Sequence, residues 1–156
     1  MAKKSYNEKL LDSKNMPEIV EITEPKAIIR YGGTKMLIAP PLAYDEIMRK
    51  VPEGKVITSD YIRNYLSEKH GADYTCQLTA GIFINIAANA SAERGIDETP
   101  YWRTLKKDGE LNEKYPGGID GQRIYLEMEG HVIIQKGKRY FVKDYVEKLF
   151  ECEEPK

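Results

Sequence analysis

At 156 residues, with 41% apolar and 31% charged side chains, the chain has the length and composition of one compact domain with its own core. Its formal net charge of −1 excludes a protein that coats nucleic acid indiscriminately, because such proteins are strongly basic. No run approaches the roughly 18 apolar residues of a membrane span, and MAKKSYNEKLLDS at the start lacks the apolar centre of a signal segment; the cytoplasm is the expected location and no membrane partner is expected.

The first expected element is a short helix over residues 5–12, with Tyr6, Leu10 and Leu11 on one side. Two β-like runs follow, residues 18–23 and 27–31, joined through Glu24 and Pro25, and a third covers 36–39 after the Gly32-Gly33 turn. Pro40-Pro41 ends this arm and opens a helix over 42–50. Thr58 or Ser59 can cap the next helix, whose buried face is Tyr61, Ile62, Tyr65 and Leu66. After Gly71 a second helix is expected from about Tyr74 to Asn89, with Leu78 or Thr79, Ile82, Phe83, Ile86 and Ala87 inward; the pair reads as a helix-turn-helix. Beyond His131 the run VIIQKGKRYFV reads as a hairpin turning at Lys136-Gly137, and 143–150 as a closing helix. The expected division is an N-terminal helix and β arm over 1–40, a mainly helical domain over 41–150, and an acidic tail over 151–156.

Basic residues cluster in three places: Lys3, Lys4, Lys9 and Lys14; Arg103, Lys106 and Lys107; and Lys136, Lys138, Arg139 and Lys143. Each cluster reads either as a solvated face or as a patch that supports modest DNA affinity. Cys76 and Cys152 lack CxxC spacing and His70 and His131 stand alone, so no metal, cofactor or disulfide framework is expected.

Residues 99–131, TPYWRTLKKDGELNEKYPGGIDGQRIYLEMEGH, carry the strongest pattern. Pro100, Arg103, Asp108, Gly109, Tyr115, Gly117, Gly118, Glu129 and Gly130 follow in order the P-C-H-R-V, D-G, Y-x-G-G and E-G pattern. The segment resembles the active-site region of O6-alkylguanine-DNA alkyltransferases, with Tyr101 in place of the acceptor cysteine and Trp102 in place of the histidine. Pro52, Gly54 and Val56 match the loop that leads into the family's helix-turn-helix, so the resemblance covers roughly residues 42–131. It implies a mainly α fold with small β elements, a winged helix-turn-helix with a short β-containing N-terminal arm and a C-terminal hairpin plus helix. Alkyl transfer needs a thiolate, whereas a phenol with pKa of about 10 is only about one part in a thousand ionised at pH 7. Binding without catalysis is therefore expected.

The resemblance also implies roles for particular residues. Tyr101, Trp102, Arg103, Tyr115, Gly117, Gly118, Glu129 and Asn89 would form the pocket, with Asn89 bracing the active-site loop. The glutamate that anchors the family's hydrogen-bond relay falls at Glu129, which either takes new donors such as the Trp102 indole N–H or the Tyr101 hydroxyl, or simply caps or faces solvent. The aromatic rings are open to core packing or base stacking. Ser59, Arg63, Thr75, Gln77, Thr79, Ala80, Lys106 and Lys107 would meet double-stranded DNA in the minor groove. Ser59 and Ala80 (or Thr79) stand where the family has its phosphate-pushing tyrosine and its stack-filling arginine, so binding is expected where base flipping is not. The expected partners are duplex DNA, alkylated at guanine, and a repair protein. The alternative readings are a small-ligand binder or enzyme of altered chemistry using the aromatic pocket, and a protein-interaction module on the same fold.

Overall fold

The computed structural model describes residues 4–152, which leaves Lys3 and residues 153–156 of the acidic tail outside the described residues. Helix α1 (Tyr6–Leu11) starts at a capping box, in which Ser5 Oγ accepts from the Glu8 amide and the Glu8 carboxylate accepts from the Ser5 amide. Strand β1 (Glu18–Glu21) pairs antiparallel with β2 (Lys35–Ile38), and β2 pairs parallel with β4 (Tyr74–Thr75). Between β1 and β2 lies α2 (Pro25–Tyr31), where the sequence suggested a strand. The β-branched pair Ile28-Ile29 is overridden by end signals: Pro25 at the first helical position, the Glu24 carboxylate accepting from the Ala27 amide at 3.1 Å, and a left-handed Gly32 that stops the helix.

Helix α3 (Pro41–Lys50) leads into β3 (Ile57–Thr58) and α4 (Ser59–His70). The Thr58 hydroxyl accepts from the Tyr61 amide, and Gly71 ends the helix in the left-handed conformation. Helix α5 (Gln77–Arg94) starts three residues later than expected and runs five residues further, since Tyr74-Thr75 are taken by β4. Its inward face also differs. Leu78 is 74% and Ile82 47% exposed, whereas Ala80, Ile84, Ala87, Ala88 and Ser91 are buried and Phe83 and Ile86 pack against the core at its margin. The small residues let α1, α3 and α4 approach α5 closely, and that packing sets the register rather than the leucine and isoleucine pattern.

Strand β5 (Thr104–Leu105) pairs parallel with β3, followed by α6 (Gly118–Met128). Strands β6 (Ile133–Lys136) and β7 (Arg139–Val142) form an antiparallel hairpin whose two-residue turn is Gly137-Lys138, one step later than expected. The expected closing helix is a single 3-10 turn, Tyr145–Lys148, preceded by a left-handed Asp144. The core centres on Leu37, Tyr44, Met48, Ile57, Ile62, Leu66, Leu105, Leu111 and Leu126, all 2% exposed or less. Among the described residues no helix is long and apolar enough to cross a membrane.

A buried network fixes the chain as it enters the motif segment. Asp45 on α3, 2% exposed, accepts from the Thr99 hydroxyl at 2.5 Å and from Arg49 Nε at 2.7 Å. The Ser91 hydroxyl on α5 accepts from the Thr99 amide at 2.9 Å and donates to the Thr99 carbonyl at 3.3 Å. Arg94 and Arg49 hold the intervening loop through the Asp97 carbonyl. Asp45→Ala leaves the Thr99 hydroxyl without its charged acceptor and Arg49 with Asp97 alone, for an expected loss of about 2 kcal/mol. Thermal unfolding should show it as a fall of about 4–8 °C in Tm.

Candidate nucleic-acid interface

The motif segment is organised around Glu129 at the end of α6. Its carboxylate accepts from Arg103 Nε at 2.9 Å and Nη2 at 2.7 Å, from the Trp102 indole Nε1 at 2.9 Å and from the Gly54 amide at 3.3 Å. Arg103 Nη1 continues to the Val51 carbonyl at 2.8 Å, so α6, the 3-10 turn Tyr101–Arg103 and the loop after α3 meet at one charge pair. Burial alone raises the Glu129 carboxyl, but the Arg103, Trp102 and Gly54 donors outweigh it and hold the group below the ordinary carboxylate range.

The neighbouring rings pack on one another. Tyr101 meets Trp102 and Tyr115 edge to face, each with centroids 5.3 Å apart, and Trp102 stacks on Tyr125 at 4.3 Å. Tyr101, Trp102 and Tyr115 are all buried, and burial raises the Tyr101 phenol above its ordinary value, which keeps it neutral. Tyr115 donates its hydroxyl to the Thr104 carbonyl at 2.8 Å, and burial pushes its phenol up as well. Gln122, fully buried on α6, donates to the Trp102 carbonyl at 3.1 Å and accepts from the Asn112 amide at 2.7 Å.

Gly117 and Gly118, at φ 79° and 66°, turn the chain into α6; a Cβ on Gly117 would press on the Gly121 backbone. Asn89 donates to the Asn85 carbonyl at 2.8 Å and reaches the Lys114 carbonyl at 3.4 Å, on the loop before Tyr115.

Two neighbouring hollows open between α5 and the loop before Tyr115. One, about 210 Å³, is lined by Ser59, Gly81, Ile84, Asn85, Asn112, Lys114 and Tyr115, among others, so of the expected pocket residues only Tyr115 borders it. Asn112 Nδ2 donates to Asn85 Oδ1 at 3.0 Å, which places two side-chain amides in its wall. The other, about 280 Å³, shares Ser59, Gly81 and Lys106 with the first and adds Arg63, Gln77, Lys107, Asp108, Glu110 and Arg139. Cations predominate there but are partly neutralised: Glu110 takes both Arg139 Nε at 3.0 Å and Nη2 at 2.9 Å, and Lys106 lies 3.2 Å from Glu113.

No family model matches the chain, and no curated protein matches its sequence. Two solved structures match its fold. S. pombe Atl1 in complex with damaged DNA containing O6-carboxymethylguanine is 17% identical with a TM-score of 0.52, over 72% of this chain and 94% of that one. S. pombe ATL in complex with DNA is 18% identical with a TM-score of 0.53 and the same coverage. The chain has the alkyltransferase-like fold.

On this alkyltransferase-like fold, two residues expected at the DNA surface face inward. Thr75 is 2% exposed and its hydroxyl donates to the Arg63 carbonyl at 2.7 Å, tying β4 to α4. Ala80 is 1% exposed, a methyl at the groove floor, and an arginine there would have to displace core. Thr79 is half-buried with its hydroxyl turned to the Cys76 carbonyl, while Gln77, Leu78, Gly81 and Ile82 form the outward face of the first turns of α5. Sequence reasoning missed Asn85, Asn112 and the outward position of Leu78, while Arg139 entered only as part of a basic cluster; the alanine stripe Ala80, Ala87 and Ala88 was the signal that Leu78 points out.

Glu129→Gln gives Arg103 and Trp102 an amide in place of the shared charge, with an expected cost of about 2–3 kcal/mol. His131 supplies an independent pH readout. It is 6% exposed, its Nε2 has no hydrogen-bond partner among the described residues, and burial lowers its pKa ahead of the opposing pull of Glu129. The unfolded chain therefore takes up this proton first, at about pH 6.5, and stability falls with acidification below that point. Tm followed from about pH 7 to about pH 5.5 should drop less steeply in His131→Gln than in the unmodified chain.

Proposed function

We propose that this chain is a non-catalytic alkyltransferase-like protein that binds duplex DNA through the α4–α5 helix-turn-helix, recognises alkylated guanine, and passes the lesion to a repair partner. The observation that carries the reading is Tyr101: a buried, neutral phenol stands at the acceptor position of the motif, and Trp102 beside it is committed to Glu129 through its N–H. Burial disfavours the phenolate and the charge of nearby Glu98 disfavours it further, so attack on an alkyl carbon lacks the ionised nucleophile it needs. Both fold relatives are complexes with DNA, one of them damaged, which supports a binding role for the same surface.

Arg63, Lys106, Lys107 and Arg139 around the groove supply the phosphate contacts, and the amides of Asn85 and Asn112 with the ring of Tyr115 form a slot for a base. Minor-groove docking follows from the apolar outward turns of α5, since Leu78 and Ile82 suit a shallow groove read by shape. A second reading, a protein-interaction module, draws on the exposed apolar residues Ile124 and Met128 on α6 and Val132 just beyond it.

Titration of plain duplex and O6-alkylguanine duplex at several salt concentrations tests the proposal. A footprint of a few cations gives a slope of log affinity on log salt of about −2 to −4, and salt-independent binding or none at low salt would favour the interaction module. Asn85→Ala should weaken binding to the modified duplex by roughly 1 kcal/mol and leave plain duplex unchanged. Mass spectrometry after incubation with O6-methylguanine DNA should show no added methyl group, and a stoichiometric adduct on Tyr101 or Cys76 would overturn the non-catalytic assignment.

A further inference from the structure

The β6–β7 hairpin lies outside the part of the chain that follows the alkyltransferase motif, yet it borders the groove. Arg139, the first residue of β7, lines the same hollow as Arg63 and Gln77 of the helix-turn-helix and Lys106 and Lys107 of the following loop. Lys136 and Arg139 are cross-strand partners on either side of the Gly137-Lys138 turn, so three of the four residues at the tip are basic, and all four are exposed. The tip is held in place from below. Lys136 Nζ and the Arg139 guanidinium lie 5.3 and 5.1 Å from the Phe141 ring, Phe141 and Val142 are buried, and the Leu111 amide donates to the Tyr140 carbonyl at 2.9 Å.

The carboxylates that share a hollow with residues of this tip are Asp108 and Glu110 on the groove side and Asp108, Asp144 and Glu147 on the other. Glu110 is already engaged by Arg139, and among the described residues neither Lys136 nor Lys138 has an ion-pair partner. Arg63, Lys106 and Lys107 line the groove with Arg139, and the exposed tip that Arg139 begins carries the positive charge on through Lys138 and Lys136, which borders the adjoining hollow. A continuous polyanion is the ligand that satisfies groove and tip together, since duplex DNA carries a charge every ~1.7 Å along its axis.

We infer that the β6–β7 hairpin is a wing that grips the phosphate backbone of the duplex through Lys136 and Lys138, adding contacts that carry no sequence or lesion information. This rests on the duplex-binding reading above. The wing sets how tightly any duplex is held, and the α5 side sets which duplex is preferred.

The test compares the full chain with Lys136→Ala/Lys138→Ala in anisotropy titrations of plain and O6-alkylguanine duplexes from about 50 to about 200 mM salt. Removing two phosphate contacts should make the slope shallower by about 1.8, equally on both duplexes, with Lys136→Arg/Lys138→Arg keeping the original slope. Lys138→Ala, at the turn and free of the Phe141 stack, should remove about 0.9 with no change in Tm, which separates ion contact from hairpin stability. An unmodified chain that binds with a steep slope, and a double variant with the same slope, would overturn the wing while leaving duplex binding intact. Failure of the unmodified chain to bind at low salt would instead overturn the duplex-binding reading and the wing with it.

Discussion

The carboxylate of Glu129 receives hydrogen bonds from a guanidinium, an indole and a backbone amide that belong to separate stretches of chain. An ionised carboxylate only 7% exposed is tolerable because these donors take the place of water, and the bidentate Arg103 contact supplies both charge and direction. Much of the motif region is oriented from this point. Arg103 ties the 3-10 turn to the loop after α3, Trp102 is held flat against Tyr125, and Tyr101 is left to fill the space between Trp102 and Tyr115. The segment around Tyr101 and Trp102 thus serves as a packed joint between α6 and the rest of the domain.

Tight packing on one side of Tyr115 leaves the usable surface on the other. The hollow beside Asn85 and Asn112 and the basic groove next to it are continuous through Ser59, Gly81 and Lys106, and both are floored by the small residues at the start of α5. The lack of a side chain at Gly81 keeps the two joined. Charge in this region is moderated: Glu110 and Glu113 restrain Arg139 and Lys106, so the groove keeps a positive excess far smaller than that of an indiscriminate DNA-coating protein.

Local chemistry was readable from the sequence wherever a residue announces a backbone state. Thr58 and Gly71 bracket α4, Pro40-Pro41 opens α3, and the two-residue turn of the hairpin falls within one step of its expected place. Where hydrophobic identity and packing geometry disagree, the sequence misled. Leucine and isoleucine on α5 were read inward, but close approach of three helices demands alanine, and the larger residues are displaced to the surface. The 27–31 run failed for the converse reason, since β-branched residues suggested a strand and the caps at Glu24 and Gly32 decided for a helix. Contacts such as Asp45 with Thr99, 54 residues apart, leave no trace in periodicity, and neither does the pairing of Gln122 with Asn112. The motif alignment brought Glu129 and Trp102 together only because spacing in a related fold stands in for that missing long-range information.

Trp102 is the chain's single tryptophan among eleven tyrosines. Its ring lies against Tyr125, its N–H is bonded to Glu129, and the Arg103 guanidinium sits 5.4 Å from its face. The intrinsic emission of the protein therefore originates at the joint where α6, the motif turn and the α3 loop converge, with tyrosine neighbours close enough to feed it by energy transfer. Any displacement of that joint, by a ligand, a partner or acid, changes the electric field on one indole and nothing else that emits at its wavelength. The molecule carries its own optical gauge, seated where a covalent label would have done the most damage.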